Sequence, residues 1–155
     1  MLNQLINKLK KTEYMLQKII GVILLMMINT TLFAQHQFTV EVSDLVADKG
    51  SVYLGLYDKK VGFLKENAAF ANAKVKVTGN KVSYTFKDLP VGEYAVAVYQ
   101  DVNSNGKCDR NMIGYPTEGF GFSKNYRPKL SAPKFDDVKI AIKQSTKASI
   151  ALIGN

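Results

Sequence analysis

Phe38, Val40 and Val42 alternate with Thr39, Glu41 and Ser43, and Val82, Tyr84 and Phe86 alternate with Ser83, Thr85 and Lys87. A period of two puts the apolar set on one face of an extended strand and leaves the other face in water. Residues 51–58 (SVYLGLYD) and 94–99 (YAVAVY) are apolar or small on both faces and predict interior strands. Residues 74–78 predict a weaker strand. Residues 138–143 and 148–153 predict a terminal pair, with Gln144-Ser-Thr-Lys147 as its hairpin turn. Turn signals fall at Asp48-Lys-Gly50, Gly79-Asn80 and Pro90-Val-Gly92. Such spacing predicts an all-β fold, a seven-stranded antiparallel immunoglobulin-like β-sandwich. Residues 61–71, with Phe63, Leu64, Ala68 and Phe70, are the one stretch of this region that fits a short helix, read as a crossover between sheets.

The N-terminal pattern is different. Lys18 precedes an apolar run over residues 19–28, followed by Asn29, Thr30 and Thr31 and then by a small residue, Ala34, ahead of Gln35. The run is short for a bilayer span, and this order of charge, apolar stretch and small residue predicts a signal peptide over residues 1–34. Translation from Met15 gives that leader ordinary proportions; an uncleaved anchor is the alternative. Residues 35–155 then form a single exported domain with a long loop over residues 101–135, periplasmic or extracellular, touching the membrane only during export. No cysteine near Ala34 is placed to carry a lipid.

Composition changes this picture little. The 155 residues are 46% hydrophobic, enough for one core, and the net charge of +8 falls to +5 once four Lys and one Glu leave with residues 1–34. The remaining lysines alternate with apolar residues, as at Lys74 and Lys76 or Lys139 and Lys143, which describes solvated strand faces rather than a nucleic-acid patch. Cys108 is the sole cysteine, so no internal disulfide forms.

The run Phe86-Lys-Asp-Leu-Pro-Val-Gly-Glu-Tyr94 resembles the prealbumin-like sandwiches of surface-protein B-repeats and carboxypeptidase regulatory-like domains. The longer set GEYAVAVYQDVNSNGKCD, GYPTEGFGFS at residues 114–123, and Ala132-Pro-x-Phe135 with Asp136 resembles the small exported bacterial family catalogued as domain of unknown function 2141. The resemblance spans roughly residues 36–153. It implies export and a sandwich, and it supplies no catalytic residue.

Candidate chemistry is concentrated in DVNSNGKCD, residues 101–109. Calcium takes six to eight oxygens, and a loop wraps it when oxygen-bearing side chains recur at alternate positions around a glycine turn. Asp101, Asn103 and Asn105 stand at positions 1, 3 and 5, Gly106 at 6, the Lys107 carbonyl at 7 and Asp109 at 9. Position 12, the bidentate Glu of an EF-hand loop, is Met112 here, and Glu118 is the nearest acid able to fold back, across turns at Gly114 and Pro116. Lys107 and Arg110 dilute the negative charge, which predicts a weak site of the extracellular kind, with Kd about 0.1–1 mM. An ion-free turn, in which Asp and Asn bond their own backbone, fits the same residues. Cys108 reads as an inward-facing apolar residue of the loop, with a reactive thiol as the alternative.

From Arg110 to Phe135 alternation gives way to Gly, Pro and aromatics. Tyr115, Phe120, Phe122 and Tyr126 either present rings to an envelope glycan, peptide or protein, or cover an open end of the sandwich. His36 alone cannot make a zinc site, and Asp136-Asp137 reads as a pair of turn acids. No nucleophile elbow or phosphate-binding glycine loop occurs, so the expected role is non-catalytic. The oligomeric state is not encoded in these patterns.

Overall fold

The alternating segments become strands because each has one face that gains by leaving water. The computed structural model describes residues 1–27, 35–65 and 67–154. By contact density the chain divides into residues 1–33 and 34–155. The first unit is helix α1 (Leu2–Met27), which carries Lys8, Lys10, Lys11 and Lys18. Among the described residues no helix is long and apolar enough to cross a membrane. The expected processing site at Ala34 lies outside the described residues.

Among the described residues the second unit holds eight strands: β1 (His36–Ser43), β2 (Ser51–Tyr57), β3 (Ala71–Lys76), β4 (Val82–Leu89), β5 (Gly92–Asp101), β6 (Phe120–Phe122), β7 (Ile140–Ile142) and β8 (Thr146–Ala151). One sheet has the order β4-β1-β8 and the other β3-β2-β5-β6, with β7 also paired to β5. Phe38, Val40 and Val42 of β1 share a buried cluster with Val52, Leu54 and Leu56 of β2 and with Val96 and Val98 of β5. That cluster joins the two sheets, and burying each such Leu or Val stabilises the fold by about 1.5–3 kcal/mol.

The Leu-Pro-x-Gly-x-Tyr turn has a visible physical basis. Leu89 and Tyr94 are buried, and the Tyr94 hydroxyl donates to the Pro90 carbonyl at 3.0 Å. A Cβ at Gly92 would sit 3.2 Å from the Tyr94 ring, so the small residue lets that ring fold back.

Several expectations are corrected. There are eight strands rather than seven, because FGF at Phe120–Phe122 is too short to show alternation yet pairs with β5. The stretch at residues 101–135 is therefore not structureless; it holds β6 and a 3₁₀ turn at Ser123–Asn125. The fold is not wholly antiparallel, since β8 runs parallel to β1. The tail is not a hairpin: β7 pairs with β5 and β8 with β1, so residues 143–145 carry the chain from one sheet to the other. Ser145 anchors that crossing by accepting the Gln37 N–H at 3.1 Å. Val138 lies in a one-turn helix, α2 (Phe135–Val138), where Phe135 and Val138 are buried and Asp137 accepts the Lys134 N–H.

Of the stretch 61–71, residues 61–65 and 67 form turns and a bend rather than a helix and Ala71 opens β3, so the segment joins β2 to β3 within one sheet rather than crossing between sheets. Gly62, Leu64 and Asn67 have φ of 88°, 62° and 58°, a left-handed conformation that interrupts any right-handed helix.

Gln100 fixes the entry to the long loop and was not singled out by the sequence. Wholly buried on β5, it accepts the Val46 N–H at 2.9 Å and donates to the Val46 and Lys49 carbonyls at 2.8 and 2.9 Å. Gln100→Leu keeps the volume and strands these backbone groups without partners. It is expected to cost about 2–3 kcal/mol in urea unfolding; an unaltered midpoint would show that the 46–49 turn does not depend on it.

Candidate functional site

Asp101 ends β5 with no exposed surface and starts the acidic loop. Its carboxylate accepts the Asn105 N–H at 3.1 Å and the Gly106 N–H at 2.8 Å. Asn103 Oδ1 also accepts the Asn105 N–H, at 3.1 Å, and Asn105 Oδ1 accepts the Lys107 N–H at 2.8 Å. Asp109 is held by both asparagine amides, Asn103 Nδ2 at 2.7 Å and Asn105 Nδ2 at 2.9 Å. Glu118, 8% exposed, closes the loop by accepting the Val102 N–H at 2.9 Å and the Asp109 N–H at 3.1 Å. The structure thus brings Asp101, Asn103, Asn105, Asp109 and Glu118 into one hydrogen-bonded network, while the Lys107 side chain is exposed. Among the described residues, no group of three or more His, Cys, Asp or Glu converges as metal ligands do.

Beside this loop lies a cleft of about 750 Å³ on the face of the β3-β2-β5-β6 sheet turned away from the shared core. Register explains its floor. Tyr53 pairs with Tyr99 and Tyr99 with Phe120, giving one aromatic row, while Gly55 pairs with Ala97 and Ala97 with Phe122. Tyr53 and Tyr99 stack with centroids 5.1 Å apart and planes within 3°. Ala97 leaves a trough beside that row, bordered on the other side by the Tyr57 ring, which lies over Gly55 3.1 Å from where a Cβ would stand. Residues 110, 113–116 and 128–132 contribute to the lining, together with Leu64 and Lys65 from the β2–β3 connection.

Of the four ring residues expected to meet a ligand, Tyr115, Phe120 and Phe122 line the cleft and Tyr126 does not. Tyr126 packs instead on the second apolar cluster, formed by Ala95, Phe120, Phe122, Phe135 and Val138. Phe120 and Phe122 are 5% and 8% exposed and therefore cover the sheet, whereas Tyr115, 44% exposed, stands edge-on to Phe120 at the rim. Tyr53, Tyr57, Tyr99, Gly55 and Ala97 were missed as cleft residues. The available signal was an apolar or small residue at the outward positions 51–57 of β2 and 95–99 of β5, which describes a covered or cleft-forming face as well as an interior strand.

Cleft and acidic loop are physically joined. The Tyr99 hydroxyl donates to the Gly106 carbonyl at 3.5 Å, and Cys108 and Arg110 continue from the loop into the lining. Burial pushes the Cys108 thiol above its ordinary range, which favours the protonated, unreactive form. Tyr99 is pushed up to about 12, chiefly by burial and then by Tyr53. The unfolded chain loses this proton near pH 10 while the folded chain keeps it, so stability falls as pH rises from about 10 to 12. Spectroscopic titration is expected to show tyrosinate forming late, with Tyr99→Phe removing the last step and flattening the alkaline loss.

A further polar cluster lies at α2. Asp136 pairs with Lys60 at 2.6 Å and Lys139 at 3.1 Å, and Lys139 also meets Glu93 at 2.8 Å. These are exposed ion pairs, which hold Asp136 below the usual carboxylate range and fasten α2 to its neighbours. Asp136 and Asp137, read as turn acids, stand instead in the first turn of α2, one pairing with lysines and the other accepting the Lys134 N–H.

No curated protein and no solved structure matches the chain. The family comparison does give a match, extending from β1 to β8 and taking in both the acidic loop and the cleft. The family's model covers residues 40–150, and the chain belongs to the bacterial family described as uncharacterized protein conserved in bacteria, DUF2141.

Proposed function

We propose that this chain is an exported, non-catalytic ligand-binding module of the bacterial cell envelope, built as an immunoglobulin-like or prealbumin-like β-sandwich. The cleft of about 750 Å³ is the observation that carries the reading. Its size lies within the range of small-molecule sites, and its aromatic floor and few polar groups match their usual lining. The N-terminal order of lysine, apolar run and small residue supports export.

The acidic loop supplies the regulatory half of the proposal. Its donors, the carboxylates of Asp101, Asp109 and Glu118, the amide oxygens of Asn103 and Asn105 and the Lys107 carbonyl, suit a hard cation such as calcium. Bound calcium supplies positive charge against these oxygens. The residues in turn fix the 101–118 segment, one end of which supports the cleft. In the network described here both asparagine amides direct nitrogen at Asp109, so holding the ion requires them to rotate. A second reading, a glycan- or peptide-binding cleft that needs no metal, is favoured by the hydrogen bonds that the carboxylates of Asp101, Asp109 and Glu118 and the amides of Asn103 and Asn105 make within the loop without an ion.

Calorimetric titration with calcium and melting with and without chelator separate the two. The calcium-supported reading expects binding heat at about millimolar calcium and a higher melting temperature. No heat and an unchanged melting temperature at that concentration would leave only the metal-free cleft.

A further inference from the structure

The cleft is chemically one-sided. Lys65, Arg110 and Lys129 line it, one from each of three separate segments around the floor, and among the described residues no Asp or Glu lines it. Lys65 and Lys129 are exposed and make no ion pair among the described residues. Arg110 spends one N–H on the Gly114 carbonyl at 3.3 Å, which positions its guanidinium and leaves other donors available. The domain has ample acid elsewhere, at Asp136, Glu93 and Glu41, each paired with lysine away from the cleft. Among the described residues the acids closest in sequence to Arg110 and Cys108 of the lining, Asp101, Asp109 and Glu118, stand outside the lining with their carboxylates hydrogen-bonded within the acidic loop, while the floor is largely apolar.

From this arrangement, and resting on the reading of the cleft as a ligand site, we infer that the occupant is an amphiphilic anion. Its apolar body lies in the trough over Ala97, between the Tyr53–Tyr99 row and the Tyr57 ring that covers Gly55. Its carboxylate, sulfonate or phosphate head lies toward the cations of the rim. Each part answers a separate feature. The trough rewards loss of apolar surface from water, and rings on both sides grip a slender body. The lysines, mobile and solvated, draw an anion without demanding one geometry, which suits a head group at the mouth better than a deeply buried one. A neutral oligosaccharide answers less of the site: it needs many hydrogen-bonding partners, and among the described residues the neutral side-chain amides and aliphatic hydroxyl of the lining come from Asn67, Asn72 and Ser131.

The test uses the full chain, with anilinonaphthalene sulfonate as fluorescent probe and decanoate, decanol, decyltrimethylammonium and a neutral oligosaccharide as competitors. Decanoate is expected to displace the probe at least about tenfold better than decanol, and decyltrimethylammonium not at all. In the K65Q/K129Q double variant, whose exposed positions leave folding intact, decanoate should weaken about tenfold while decanol is unchanged, since each exposed charge contributes up to about fivefold. Ala97→Trp fills the trough and should abolish displacement by both. Equal binding of decanol and decanoate, indifferent to the lysine changes, overturns the anionic assignment and leaves the cleft as an apolar site. Stronger displacement by the oligosaccharide overturns it in favour of a glycan. Probe binding that survives Ala97→Trp in a protein that still melts cooperatively overturns the cleft itself. Where Ala97→Trp fails to fold, the lysine pair alone decides the assignment.

Discussion

Gly50→Ala is expected to lower stability by about 3 kcal/mol or more, and the midpoint of thermal unfolding by roughly 10 °C. Gly50 has φ of +60°, and a Cβ placed there falls 1.8 Å from the Asp101 carbonyl oxygen, 2.7 Å from the Asp101 carbonyl carbon and 2.9 Å from Val102 Cα. These obstacles are backbone atoms, so no rotamer change relieves them. The start of β2 must separate from the end of β5 where Ser51 pairs with Asp101. The Gly50 carbonyl also accepts the Val77 N–H at 3.2 Å, so displacement would disturb the segment after β3 as well. Gly79 provides the control: its φ is +75° with nothing within 4 Å of an added Cβ, so Gly79→Ala meets only backbone strain of about 1–2 kcal/mol. Equal losses in the two variants, measured by urea unfolding, would show that the close approach at Gly50 carries no energy.

Asp101→Ala is expected to have the second largest effect, and to act on loop and cleft together. It removes the acceptor for the Asn105 and Gly106 N–H groups in a buried place, at a cost of about 2–3 kcal/mol even without metal. Asp101→Asn keeps one acceptor oxygen and should cost about half as much. Both variants should lose any calcium-dependent rise in melting temperature. Because the Gly106 carbonyl meets the Tyr99 hydroxyl, loosening the loop also frees one side of the cleft floor. Tryptic cleavage after the exposed Lys107 and Arg110 is the direct measure, and it should accelerate in Asp101→Ala well before global unfolding. Wild-type cleavage rates would show that the carboxylate does not organise this segment.

Legibility in the sequence followed the range of the interactions. The strands β1, β2, β4 and β5 were readable because alternation, or its replacement by continuous apolar character, is a local consequence of which faces are buried. Phe38, Val40 and Val42 are indeed at 0% exposure. The β1–β8 pairing was not readable, since nothing within residues 146–151 states that their partner is residues 38–43 rather than the neighbouring β7. β6 escaped notice because three residues cannot display a period, and it exists as a strand only through its pairing with β5; Gly121 fits there because a Cβ would fall 2.7 Å from an Ile150 methyl. At the candidate site, the positions of oxygen-bearing residues in the acidic loop could be counted along the chain. The cleft could not, because Tyr53, Gly55, Ala97 and Phe122 meet only through strand register.

The parallel union of β1 with β8 has a consequence for synthesis. Gln37 and Ser145, which bond across the edge of this junction, are 108 positions apart. A ribosome must therefore release nearly the entire domain before the three-stranded layer acquires its outer member and Val42 meets Ile150. Until then the nascent polypeptide has an open flank and an incomplete interior, and closure depends on one late, long-range encounter rather than on gradual accretion.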